Sequence, residues 1–186
     1  MIHVNPDWRV KISHPDLVPW VNSLPEATFY DLWESNINPD WVFHLAINGG
    51  ATKQQLVFAN CGVARLCLYA VPEGENRPRV AIETAEAWAR GETTDEDLRK
   101  ARVAAAFSIF NISEESDAAA FAAYNSAYLV FTTLPFPTYS SKYALQMGIE
   151  NQVICATIRK HLPFERPPPP PKRLTIWQRL AEGGDE

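Results

Sequence analysis

The sequence predicts an all-α fold: a single helical bundle of six or seven helices, with an irregular N-terminal arm and a proline-rich C-terminal tail. Three observations carry that expectation. Apolar residues recur at three- and four-residue spacing through most of the chain, which places them on one face of a helix. Helix start and stop signals punctuate those stripes at regular intervals. No segment alternates apolar and polar residues in the manner of a half-buried strand. The length of 186 residues suits one domain, and 46% hydrophobic residues suffice for a core. The expected organisation is an arm over residues 1–22, a bundle over 23–165, and a tail over 166–186.

The arm is polar and interrupted by Pro6, Pro15 and Pro19, with Trp8, Val18 and Trp20 holding it down. Ser23 and Glu26 have capping-box spacing, with Pro25 between them, and start a short helix carrying Ala27, Tyr30, Leu32 and Trp33. Asn38-Pro39-Asp40 opens the next helix, whose stripe is Trp41, His44, Leu45 and Asn48, and Gly49-Gly50 ends it. His44 reads as a hydrogen-bonded core or boundary histidine. Thr52 caps a longer helix, about Lys53 to Val71, with Leu56, Ala59, Val63, Leu66, Cys67 and Ala70 inward. Arg65 lies near that stripe. It either pairs with an acidic residue inside the bundle or extends its stem to reach water.

Residues 77–110 form the hairpin around which the rest is organised. Arg77-Pro78-Arg79 opens its first helix, and Val80, Ala81, Ala85 and Trp88 share a face. Gly91 supplies the left-handed cap. Thr93 and Glu96 have capping-box spacing for the second helix, about Asp95 to Phe110, whose inner stripe is Leu98, Ala101, Ala105 and Ile109. A turn this short forces antiparallel packing, and the alanines let the axes approach closely. A turn over Asn111–Ser116 leads to an alanine-rich helix, about Asp117 to Thr132. Its aromatic stripe of Phe121, Tyr124 and Tyr128 reads as core, and Asn125 and Tyr128 are candidates to line a groove. After Pro135 and Pro137, one last long helix runs to Leu162, with Tyr143, Leu145, Ile149, Val153, Ala156 and Ile158 inward. Pro167 to Pro171 form a stiff polyproline spacer, about 3 Å per residue. Beyond it Ile176, Trp177 and Leu180 lie at helical spacing. That segment either folds back or contacts another chain, a second copy or a target.

Composition narrows the function. A net charge of −5 with no long Lys/Arg cluster argues against a nucleic-acid backbone as partner. No apolar run reaches the roughly twenty residues that span a membrane. The N-terminal residues lack a signal-peptide apolar core, so a cytoplasmic location is expected. Cys61, Cys67 and Cys155 lack metal or redox spacing and read as buried thiols. His3, His14, His44 and His161 read as isolated, so neither a metal nor a cofactor is expected. No nucleophile-elbow, phosphate-loop, dinucleotide or zinc-protease motif occurs, and no enzyme activity is expected.

One pattern reaches further. It comprises Asp40-Trp41 before an apolar helix ending in glycine, and Leu56-Val57 through Ala64-Arg65-Leu66. It continues with Arg77-Pro78-Arg79, Ala81-Ile82, Ala85, Trp88 and Gly91, the alanine-rich helices, Tyr143-Ala144 and Leu162-Pro163. Over roughly residues 38–165 the chain resembles the alanine-rich immunity proteins of bacterial polymorphic toxin systems, also found on phage genomes. Phe107 or Ser108 stands where that family often has a histidine, and the arm and tail lie outside the pattern. The resemblance implies a non-catalytic protein that neutralises a toxin or effector by stoichiometric association. Two other readings stay open. One is a phage-encoded inhibitor or nucleotide sponge against a host defence system, with Arg65, Arg77 and Arg79 as anion contacts. The other is a structural or assembly protein whose tail, through Trp177, joins subunits into a homo-oligomer.

Overall fold

The computed structural model describes residues 1–108, 114–128 and 138–166. Ten α-helices occur among them, in the order α1 (Trp8–Lys11), α2 (Leu17–Asn22), α3 (Phe29–Ser35), α4 (Pro39–Gly49), α5 (Lys53–Arg65), α6 (Arg77–Ala89), α7 (Asp95–Ala106), α8 (Glu114–Tyr128), α9 (Thr138–Gln146) and α10 (Asn151–His161). A 3₁₀ turn, Leu68–Ala70, follows α5. Extended pairing among the described residues amounts to one isolated parallel bridge, Ile2 with Phe164. The fold is all-α. The proline spacer, Trp177 and the rest of the tail from 167 lie outside the described residues, as do Pro135 and Pro137.

Local chemistry explains the boundaries. The Thr28 hydroxyl accepts the Asp31 N–H while the Asp31 carboxylate accepts the Thr28 N–H, a reciprocal box that starts α3. Ser23 and Glu26 do not perform that task, because the chain turns at residues 23–27 before the helix begins. Asn38 caps α4 with Pro39 at its first position, and Gly50, at φ 104°, ends it in the left-handed region where a side chain is strained. Thr52 and Gln55 make a second box at α5. At α7 the capping hydroxyl is Thr94, which accepts from the Asp97 N–H; the expected Thr93 hydroxyl instead donates to the Asp97 carboxylate.

The arm and the last helix differ from expectation. Residues 1–22 contain two short helices because Trp8, Ile12, Leu17 and Val21 are buried and hold the backbone against α3 and α4. Pro19 is tolerated because it falls in the first turn of α2, where its missing N–H has no intrahelical acceptor. The C-terminal helix is two helices, broken by Gly148 at φ 77°. The N–H groups of Gly148 and Ile149 bond back to Leu145 and Ala144 across that break. The break resets the helical register. Leu145 and Val153, expected inward, are exposed, whereas Ala144, Ile154, Cys155 and Ile158 are buried.

The α6–α7 hairpin forms as expected, with Ala81, Ala101 and Ala105 as its own small cluster. Val80 points outward, and Ile82 takes the buried position. Trp88 is half-buried, and its indole N–H donates to Asp95. The alanines of α8, Ala119, Ala122 and Ala123, join the main core. Phe121 and Tyr124 are half-buried, so the small side chains rather than the aromatic ones face inward. The N-terminal segment is fastened to the other end of the body. The Ile2 N–H donates to Pro163 O, the Glu165 N–H donates to Ile2 O, and the Tyr30 hydroxyl donates to Glu165 O. Phe164 packs against Phe29 and Trp33 beside these bonds. No helix among the described residues is long and apolar enough to cross a membrane.

Candidate functional site

Two of the three arginines of the anion reading, Arg65 and Arg77, are held by carboxylates of this chain. Arg65, at the end of α5, makes a bidentate pair with Glu86 on α6, both bonds 2.7 Å long. The Glu86 hydrogen bond raises the Arg65 pKa. Arg65 therefore pairs across helices, one of the two outcomes open from sequence. Arg77 grips Glu75 two residues before it, and that bond lowers the Glu75 pKa. Arg79 alone of the three lines a cavity of about 230 Å³ under the α5–α6 connection. Glu73 and Glu75 line it too, and with Glu75 held by Arg77, Glu73 remains as a carboxylate beside Arg79. An anion gains little there. Asn125 spends its side-chain N–H on Phe121 O within α8, at 2.7 Å. Tyr128 is the last residue of α8, its side chain lies outside the described residues, and Trp177 lies outside them altogether.

Ser140, Cys67 and Cys155 are committed to the fold, whereas the buried Ser141 hydroxyl has no hydrogen-bond partner among the described residues. Ser140 is buried and donates to Ala122 O at 2.9 Å. Burial pushes the Cys67 thiol up to about 12 and the Cys155 thiol up to about 11, so neither is a thiolate at neutral pH.

A cluster that sequence reasoning passed over lies between the loop before α2 and the start of α4. Asp40 and His44 are one helical turn apart on α4, and His14 joins them from the loop. His14 Nε2 lies 2.9 Å from one Asp40 oxygen, and His44 Nε2 lies 3.6 Å from the other. The two imidazoles meet edge to face with centroids 4.6 Å apart. His14 Nδ1 faces the N–H groups of Asp16 and Leu17, each at 3.2 Å, and so acts as an acceptor. That fixes the neutral tautomer: the proton sits on Nε2 and is donated to Asp40. Burial lowers the His44 pKa, with His14 adding to the effect and Asp40 opposing it. Two nitrogens and a carboxylate thus converge, and their ligand atoms lie within 4.8 Å of one another. This corrects the expectation that the histidines stand alone. Asp40, four residues before His44, was legible as a helical neighbour. His14 was not, because only the folding of the arm delivers it.

An exposed apolar patch lies at the C-terminal end of α7, whose C-cap residue is Phe107. Phe107 is 67% exposed and Val103 is 41% exposed. With Ala104, Arg99 and Lys100 they line a surface cavity of about 370 Å³. Glu96 binds Arg99 and approaches Lys100, which offsets their charge.

No family model matches this chain, and neither the curated proteins nor the solved structures contain a match.

Proposed function

We propose that this chain is a non-catalytic binding protein that neutralises a bacterial toxin or effector by stoichiometric association. The observation that carries the reading is the exposed Phe107–Val103 surface on α7, flanked by Arg99. An aromatic ring and an arginine around a shallow cavity match residue types enriched at interfaces. The helix behind them is locked by Leu98, Ala101 and Ala105, so the patch stands on a rigid support. The first turn of α7 carries Asp95, Glu96 and Asp97, and the whole chain has a net charge of −5. Both favour encounter with a basic effector, such as a nuclease, through long-range steering. The nucleotide-sponge alternative receives less support, because Arg65 and Arg77 already neutralise carboxylates of this chain.

The test is capture from the native host with the tagged full chain, followed by inhibition of the captured protein's activity. One protein is expected at equal stoichiometry, and Phe107→Asp should weaken its capture at least tenfold, or about 1.4 kcal/mol, at an unchanged melting temperature. A chain that retains nothing, or a variant that retains the partner equally well, overturns the reading.

A further inference from the structure

We propose that His14, Asp40 and His44 bind one divalent transition-metal ion of the zinc class, tying the loop before α2 to the N-terminal half of α4. The donor set comes first. Two imidazole nitrogens and one carboxylate suit zinc, cobalt or nickel, whereas calcium and magnesium prefer all-oxygen shells. Spacing comes second. Metal–ligand bonds of about 2.1 Å in a tetrahedral shell place neighbouring ligand atoms roughly 3.4 Å apart. The two imidazole nitrogens lie 2.9 Å and 3.6 Å from different Asp40 oxygens, either side of that value, and the ligand atoms all fall within 4.8 Å of one another. Closing the three ligand atoms on one ion requires these side chains to rotate inward.

Access comes third. The histidine side chains are 16% and 15% exposed and the Asp40 side chain is 36% exposed. The site is therefore walled by protein on the imidazole side and open at the carboxylate. Three protein ligands leave a coordination position for water or for a group from a partner. Asp40 supplies one negative charge against the ion's two, so the occupied site carries a net positive charge on an otherwise acidic protein.

The proton on His14 Nε2 opposes binding. The ion must displace it, and on reaching Nδ1 it breaks the two contacts from the Asp16 and Leu17 N–H groups. That loss is comparable to one helix cap, roughly a tenfold penalty in affinity. Three first-row metal ligands outweigh it, and the expected dissociation constant is on the order of micromolar. The alternative role for the same residues is a metal-free hydrogen-bond cluster that docks the arm.

The experiment separates these roles. Full-length protein, stripped with chelator and kept reduced, is titrated with Co²⁺ and then Zn²⁺. One equivalent of Co²⁺ should bind with visible d–d absorption and without thiolate charge-transfer bands, and Zn²⁺ should displace it. Trp41 follows Asp40 in sequence and packs on Trp20 at 5.1 Å, so bound Co²⁺ should also quench tryptophan fluorescence. His44→Ala should weaken binding by about a hundredfold. His14→Asn retains an acceptor for the α2 N–H groups but cannot replace the imidazole ligand, so it should keep the far-UV spectrum of the parent and lose the same affinity. Absence of saturable Co²⁺ binding, or binding unchanged in both variants, overturns the proposal and leaves the hydrogen-bond cluster.

Discussion

Gly49→Ala is the most direct probe of how tightly this body is packed. Gly49 is the last residue of α4 and is buried. A Cβ built on it would lie 2.7 Å from two ring carbons of Phe29 and 2.9 Å from Phe164. Ordinary contact needs at least about 3.5 Å, so the rings would have to retreat by most of an ångström. Phe29 cannot do so freely. It is 3% exposed and packs against Trp8 at 5.4 Å, Trp33 at 6.0 Å and Phe164 at 4.8 Å. Overpacking of this kind costs about 1–3 kcal/mol, and replacing glycine by alanine in a helix returns about 0.5–1 kcal/mol. The net loss is about 1.5 kcal/mol, which lowers Tm by about 3–6 °C in a chain of this size. Thermal melts followed at the helix band measure it. Phe29→Leu removes the two ring carbons at issue, so Gly49→Ala should cost at least about 0.5 kcal/mol less in that background. A Tm at or above the parent's, or the same penalty in both backgrounds, refutes the reasoning.

Two further predictions concern titratable groups. Cys61, Cys67 and Cys155 are buried, so an aromatic disulfide reagent at pH 8 should label none of them in the native protein and all three in denaturant; rapid native labelling would contradict the packing. The His161 pKa is lowered, first by burial, then by Lys160, with Arg65 acting in the same direction and Glu86 opposing. The unfolded chain, with histidine pKa about 6.5, therefore binds the proton more readily, and stability falls as pH drops below about 6.5 toward the lower folded value. Urea midpoints at pH 7.5 and 5.5 should decline more for the parent than for His161→Gln, and equal slopes would remove His161 as the cause.

Helix identity was largely legible because it is written locally. Asn38-Pro39, Thr52 and Arg77-Pro78 signal helix starts locally, and α4, α5 and α6 begin where those signals place them, with Gly91 just past the end of α6. What failed depends on partners distant in sequence. The arm folds into α1 and α2 because Leu17 and Val21 find the core, which propensity near three prolines does not anticipate. Val80 and Val153 fit an inward stripe by spacing, yet Ile82 and Ile154 occupy the buried positions. Of the site residues, Arg65 could be suspected of pairing, but Glu86 as its partner required the α5–α6 packing. The convergence of His14 on Asp40 joins residues 26 apart, and no helical period encodes that.

The bonds from Ile2 to Pro163 and Glu165 have a consequence for synthesis. A ribosome must extrude the chain through Glu165 before Ile2 meets its backbone partners. Until then Phe29 and Trp33 present to solvent the face that Phe164 later covers. A nascent chain stalled short of that residue should bind chaperones through those two rings, and release should coincide with the closing of the seam.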